Sequence, residues 1–172
     1  MIIEAVQGDL TRQEGDAVVN AANSSLLGGG GVDGAIHRAA GPELLAACRQ
    51  LRATRLPDGL PVGEAVATPG FNLTASWIIH TVGPNRSAGQ TDPALLRSAF
   101  DSSLDLAREL ECASVALPAV SAGVYGWDVR EVARIAVASV RAHAGDIPGP
   151  RLIRFVLFSP ELLQVFKDAL TD

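Results

Sequence analysis

Short apolar runs alternate along the chain with longer segments in which apolar residues recur every three or four positions. An apolar run that does not alternate with polar residues is typical of a strand that is buried on both faces of a sheet. Apolar residues spaced three and four apart predict helices with one buried face. Strands are predicted at residues 2–6, 17–19, 64–68, 77–82, 114–117 and 152–158, and helices at 33–40, 43–52, 93–110, 129–143 and from 160 onwards.

This alternation of strands and helices predicts the α/β class, as a three-layer α/β/α sandwich around a central sheet. A length of 172 residues suits one domain that spans residues 1–172. In open sheets of this kind, ligands bind beyond the carboxyl ends of the strands. Two of the predicted strands end in glycine-containing loops that lead to helices, so we expect these loops to face each other across one cleft.

The first of these loops combines the features of a phosphate site with an acidic residue. It follows the strand at 17–19, opens with Asn20 and Asn23, and contains four consecutive glycines at 28–31 before Asp33. Glycines let the backbone approach an anion, and the start of a helix offers free N–H groups and a partial positive charge. Because Asp33 would repel a phosphate, it indicates chemistry at this loop beyond anion binding.

The second loop, at residues 118–126, reads PAVSAGVYG and follows the strand at 114–117. The chain has one lysine, Lys167, and a net charge of −5, so we expect an anion to be held mainly by backbone N–H groups. The same charge argues against broad, sequence-independent nucleic-acid binding, which depends on basic patches. With a second loop to share the anion, Asp33 is free to point past it.

Composition further limits the class of protein to which this chain can belong. Hydrophobic residues make up 48% of the chain and charged residues 19%, as in folded globular proteins. The apolar runs are too short to span a bilayer, and the first residues lack the pattern of a signal peptide. Cys48 and Cys112 match no metal-site spacing and are expected to be core thiols. We therefore expect a cytoplasmic monomer that uses no metal and no cofactor.

Five segments, in chain order, carry a more specific signal. They are GDLT at 8–11, DAVVNAAN at 16–23, GGGGVDGAIHRAAG at 28–41, WIIHTVGP at 77–84 and LPAVSAGVYG at 117–126. In sequence and order they resemble the macrodomain family, in its MacroD-type ADP-ribosylhydrolase branch. The resemblance implies a mixed central sheet and a cleft for ADP-ribose. It also implies that the partners are ADP-ribose itself and mono-ADP-ribosylated proteins.

The resemblance implies a role for each residue that matches the family motifs. At the adenine end, Asp9 accepts a hydrogen bond from the adenine amino group, with the backbone of Leu10 beside it and Phe158 as the neighbouring aromatic. At the other end, Asn23 contacts the distal ribose. The residues implied to bind the ligand are Asp9, Leu10, Asn23, Gly31, Val32, Asp33, Ser121, Ala122, Gly123, Val124, Tyr125 and Phe158.

The implied activity is metal-independent hydrolysis of the ester at the distal ribose, with Asp33 and Asn23 as catalytic residues. Its substrates would be proteins mono-ADP-ribosylated on Asp or Glu, and O-acetyl-ADP-ribose. Asp33 acts either as a general base on water or only orients the ribose while a substrate phosphate oxygen activates the water. Two other functions would use the same pocket, namely a non-catalytic ADP-ribose reader and an ADP-ribose 1″-phosphate phosphatase.

Several of these residues also have structural interpretations. The glycines at 29, 31 and 34 fit the G-x-G-x-x-G pattern, but the acid that should follow about 20 residues later in a dinucleotide-binding fold is missing. Taken alone, Asp33 would be interpreted as a helix N-cap. Asn20 is assigned to structure, His80 to a hydrogen-bonded core position, and His37 to support of the glycine loop.

Overall fold

A computed structural model describes all 172 residues of the chain. Each predicted strand and helix is present, and the boundaries differ from the predicted ones by at most two residues. The strands are β1 (Ile2–Gln7), β2 (Ala17–Ala21), β3 (Ala65–Pro69), β4 (Trp77–Thr81), β5 (Ser114–Leu117) and β6 (Leu152–Leu157). The helices are α1 (Gly31–Ala40), α2 (Pro42–Thr54), α3 (Pro93–Glu109), α4 (Val129–Ala142) and α5 (Pro160–Thr171).

The six strands form one mixed sheet in the order β1-β6-β5-β2-β4-β3. Only β3 runs antiparallel to its neighbour, while the other neighbouring pairs are parallel. The carboxyl ends of β1, β6, β5, β2 and β4 therefore lie along the same edge of the sheet. The predicted α/β class and the three-layer arrangement with a mixed central sheet are confirmed.

Each face of the sheet is covered by its own hydrophobic core. Helices α1 and α2 pack on one face, where Val18 and Ile78 join Ile36 and Leu44. Helices α3, α4 and α5 pack on the opposite face against a larger core, which contains Val19, Ile79, Phe100, Val132 and Phe166. Because consecutive residues of β2 and β4 are buried on opposite faces, these strands read as continuous apolar runs in the sequence.

Three of the helices begin at side-chain caps that the sequence indicates. The carboxylate of Asp92 accepts a hydrogen bond from the N–H of Ala94, and that of Asp128 accepts one from Arg130. Ser159 caps α5 in the same way. Such caps satisfy backbone N–H groups that have no partner within the helix.

Candidate functional site

The predicted ligand residues follow neighbouring strands and line up along one edge of the sheet. Asp9 and Leu10 follow β1, Phe158 follows β6, the loop at 118–126 follows β5, and the loop at 22–30 follows β2. Since these strands are neighbours in that order, the structure brings both glycine loops together and sets Asp9 and Phe158 at one end of the row. Asn23 and Asp33 lie at the other end.

The first loop is held in shape by the side chain of Asn23. Its amide oxygen accepts hydrogen bonds from the backbone N–H and the hydroxyl of Ser25, and its amide nitrogen donates to the carbonyl of Gly28 at 3.0 Å. Gly30 and Gly31 have nothing packed against them within 4 Å of an added Cβ atom, and Gly31 has φ +58°. The loop therefore presents open backbone at the start of α1.

The N–H groups at the start of α1 are available to a ligand. None of Gly31, Val32 and Asp33 donates its backbone N–H to a protein carbonyl. The first turn of a helix always leaves such donors, and together with the helix dipole they attract negative charge.

Asp33 lies inside the first turn of α1 with a nearly buried side chain, 5% exposed. The N-cap position is occupied by Gly30, so the interpretation of Asp33 as a helix cap is wrong. Its Oδ1 atom accepts a hydrogen bond from Nδ2 of Asn20 at 2.9 Å and lies 3.5 Å from Nε2 of His37. Its Oδ2 atom is buried and has no hydrogen-bond partner.

The free oxygen of Asp33 and the amide of Asn23 face the same point. An added Cβ atom on Gly29 would lie 3.3 Å from Oδ2 of Asp33 and 3.3 Å from Nδ2 of Asn23. A side chain at this position would crowd both polar atoms. The imidazole of His37 packs beside Gly28, in keeping with the expectation that it supports this loop.

Behind Asp33, a row of buried polar side chains crosses three strands. Nδ2 of Asn20 lies 3.1 Å from Nδ1 of His80, whose Nε2 lies 3.0 Å from the hydroxyl of Thr68. All three side chains are buried, and burial lowers the pKa of His80 to about 3, with His37 adding to the effect. His80 is thus the hydrogen-bonded core histidine that the sequence predicts. Its connection to Asp33 was not foreseen.

The second loop, at residues 118–126, packs tightly against the protein at Ser121 and is exposed to solvent at Val124. Ser121 has φ +69° and is buried, and an added Cβ atom on Gly83 would collide with its hydroxyl. The backbone N–H groups of Ser121, Gly123, Val124 and Tyr125 donate to no protein carbonyl. The side chain of Val124 is 90% exposed.

The polar segment at 85–90 packs against this second loop. The indole N–H of Trp127 donates to the carbonyl of Pro84 at 3.0 Å, and the guanidinium of Arg86 lies over the same indole ring. Ser87 also contacts the loop, because its hydroxyl donates to the carbonyl of Val124. The sequence gives no signal for these contacts, which join segments about 40 residues apart.

At the other end of the row, Asp9 offers an exposed and charged carboxylate. Hydrogen bonds from the hydroxyl and the N–H of Thr11 lower the pKa of Asp9. The side chain of Leu10 is buried, so only its backbone is available to a ligand. Phe158 is 77% exposed, a high value for an aromatic residue that immediately follows a buried strand.

The structure contains neither a cluster of metal-ligating side chains nor a membrane-spanning helix. No group of three or more His, Cys, Asp or Glu side chains is arranged to hold a metal ion. No helix has the length and apolar character needed to cross a membrane.

The family model for the macro domain matches residues 19–136, well over half of the chain. The chain belongs to the macro domain family. A macro domain-containing protein of Streptomyces griseus is 53% identical to this macrodomain over 169 residues, which cover 98% of this chain and 94% of that relative. A macro domain-containing protein of Streptomyces coelicolor is 54% identical over 164 residues, with 95% of each chain covered.

Solved macrodomain structures have the same fold. The Oceanobacillus iheyensis macrodomain with ADP superposes with a TM-score of 0.93 at 41% identity, covering 98% of this chain and 90% of that one. The Trypanosoma brucei macrodomain in complex with ADP-ribose gives a TM-score of 0.89 at 36% identity, covering 98% of this chain and 68% of that one. The resemblance to macrodomains in the sequence is thereby confirmed.

Proposed function

We propose that this macrodomain binds ADP-ribose along the row of strand ends and hydrolyses the ester at its distal ribose. The products would be ADP-ribose together with the unmodified Asp or Glu of a target protein, or with acetate from O-acetyl-ADP-ribose. Two observations support binding of this ligand. The related O. iheyensis and T. brucei macrodomains have been solved with ADP and ADP-ribose, and the two loops here offer seven backbone N–H groups without protein acceptors.

In the proposed complex, the diphosphate lies between the two loops and accepts hydrogen bonds from their N–H groups. The adenine lies towards Asp9 and Phe158, where its amino group donates to the exposed carboxylate. Binding energy from these two parts holds the distal ribose against Asn23 and Asp33, so that the ester is oriented for attack. Fixed N–H dipoles stabilise the negative charge of the substrate without a metal ion.

The observation that carries the hydrolase proposal is the environment of Asp33. A buried carboxylate oxygen without a partner is costly unless a ligand or water meets it. Here that oxygen faces the same point as the amide of Asn23, at the end of the row where the distal ribose would lie. In this position Asp33 accepts the proton of the water that attacks the ester carbonyl, as a general base does.

Two measurements test the proposal on the wild-type protein. Calorimetric titration with ADP-ribose tests binding, and release of ADP-ribose from a protein modified on Glu tests hydrolysis. Tight binding without release would favour the reader function instead. Preferential release of phosphate from ADP-ribose 1″-phosphate would favour the phosphatase, and absence of binding would remove all three.

Asp33→Ala should lower kcat by about 10²–10⁴-fold, the usual contribution of a positioned general base. Asp33→Asn keeps the size of the side chain and one acceptor oxygen but cannot accept the proton of the attacking water. If Asp33 only orients the ribose, Asp33→Asn should retain most of the wild-type kcat. Equal rates for wild type and Asp33→Ala would contradict any catalytic function of this residue.

Asp9→Ala should act on binding rather than on chemistry. Loss of one hydrogen bond to a charged group predicts an affinity for ADP-ribose that is about tenfold lower, with little change in kcat. Glu109→Ala is a matched control, because this exposed acid ends α3 and makes no hydrogen bond or ion pair through its side chain. Identical affinities for Asp9→Ala and Glu109→Ala would contradict the proposed adenine contact.

A further inference from the structure

The buried polar row of Asn20, His80 and Thr68 is built by the register of three strands. Asn20 of β2 is paired directly with His80 of β4, and β3 runs antiparallel along the other side of β4. Alternation along the strands puts their side chains on the same face as Val18 and Ile78, which is the face that α1 covers. The row therefore ends at the carboxylate of Asp33.

The hydrogen bonds in this row have only one consistent direction. The nitrogen of the Asn20 amide carries two protons and can only donate, so it donates one to Oδ1 of Asp33 and one to Nδ1 of His80. A neutral imidazole that accepts at Nδ1 carries its proton on Nε2, and this proton is donated to the hydroxyl of Thr68. Complete burial keeps the ring in this neutral form.

The orientation of the Asn20 amide depends entirely on these two donations. Its oxygen is buried and has no hydrogen-bond partner that would hold the group from the other side. If the amide turned over, its oxygen would face the carboxylate of Asp33, and two acceptors would meet at hydrogen-bonding distance. Asp33 and His80 therefore fix the amide together, because each offers an acceptor for one of its two N–H groups.

We infer that His80, acting through Asn20, is a positioning residue that holds Asp33 for the hydrolysis proposed above. This inference rests on the proposed function. By occupying Oδ1 of Asp33, the Asn20 amide leaves Oδ2 as the oxygen that faces the amide of Asn23. Without the acceptor on His80, the Asn20 amide can rotate away from the carboxylate, and Oδ1 is left beside the imidazole of His37, 3.5 Å away, which does not hold it in the same orientation.

Two conservative variants separate the contacts at the two ends of the His80 ring. In His80→Asn, the amide oxygen is as many bonds from the backbone as Nδ1, so the acceptor for Asn20 is kept and the donor to Thr68 is lost. In His80→Gln, the amide nitrogen is as many bonds away as Nε2, so the donor to Thr68 is kept and the acceptor for Asn20 is lost. His80→Leu removes both contacts while keeping the site filled.

The inference predicts a specific order of kcat for ester hydrolysis. His80→Asn should stay within about tenfold of the wild type, since it loses one neutral hydrogen bond distant from the carboxylate. His80→Gln and His80→Leu should lose about 100-fold, the usual effect of misplacing a reacting group by about 1 Å. KM and the affinity for ADP-ribose should change by less than about threefold, because Asn20 and His80 are buried behind the cleft.

The reverse order would overturn the inference. Glutamine is closer to histidine in volume than asparagine is, so a residue that only fills space would give a higher kcat for His80→Gln than for His80→Asn. A loss that appears in affinity rather than in kcat would also overturn it. In an Asp33→Asn background, His80→Gln should cause no further loss, and a full additional loss there would show that His80 does not act through Asp33.

A spectroscopic measurement tests the arrangement without any turnover. Long-range proton–nitrogen NMR spectra of the wild type should show His80 neutral at about pH 7, with its proton on Nε2. A proton on Nδ1, or on both nitrogens, would overturn the inference even in an active enzyme. A wild type with the expected ring form that binds ADP-ribose but hydrolyses no ester would instead overturn the proposed function and, with it, the role of His80 in that reaction.

Discussion

Acid should destabilise this macrodomain through His80, because the folded chain cannot accept a proton that the unfolded chain can. Burial lowers the pKa of His80 from its ordinary value of 6.5 to about 3. Between these two values the unfolded state binds more protons than the folded state, so the free energy of unfolding rises with pH. The effect is absent above about pH 7 and amounts to a loss of about 2 kcal/mol at about pH 5.

The reference for this measurement is His80→Asn, which has no titratable group at the position. Urea unfolding of both proteins can be followed by the fluorescence of Trp77 and Trp127 at about pH 7.5 and about pH 5. Between these conditions the wild type should lose about 2 kcal/mol more stability than the variant. Repeating the pair in a His37→Gln background removes the neighbouring imidazole as a source of the difference. Equal losses in wild type and variant would refute the assignment of a neutral, buried His80.

Two other outcomes follow from burial and close packing. Burial raises the pKa of the Cys48 and Cys112 thiols to about 11, so a disulfide reagent at about pH 8 should label neither in the folded protein and both in urea. Rapid labelling of either thiol in the folded protein would contradict this. Gly83→Ala should weaken ADP-ribose binding about tenfold by displacing the loop at Ser121, whereas Gly145→Ala, whose added Cβ meets nothing within 4 Å, should have no effect. Equal affinities for these two variants would show that the loop tolerates the collision.

The sequence was sufficient to predict the fold class and the edge of the sheet where the candidate site lies. Both depend on local patterns, since buried strands, caps and glycine loops leave signals within a few neighbouring residues. The start of α1 was predicted two residues late, at Asp33 instead of Gly31. A run of glycines carries no side-chain pattern, so it gives no sign of where the helix begins, and Asp33 was open to interpretation as a cap.

The hydrogen bonds from Asn20 to Asp33 and to His80 could not be predicted from the sequence, because they depend on strand register. Asn20 and His80 are 60 residues apart, and their contact exists only because β2 and β4 are neighbours in this register. A shift of one residue would turn His80 towards the other core. In the sequence, Asn20 is a polar residue near a strand end and His80 is a polar residue within an apolar strand. No local pattern indicates that the two are in contact.

In the proposed cleft, Asp33 is held in place by the sheet, whereas the glycine backbone beside it has free space around it. The carboxylate is bonded to a strand residue, whereas Gly30 and Gly31 just before it have no side chain packed against them. A change at Gly30 can thus alter the space around a substrate while the acid keeps its place, whereas the positive φ of Gly31 favours glycine at that position. A series of substrates with leaving groups of different size can accordingly be matched by redesign of Gly30 alone.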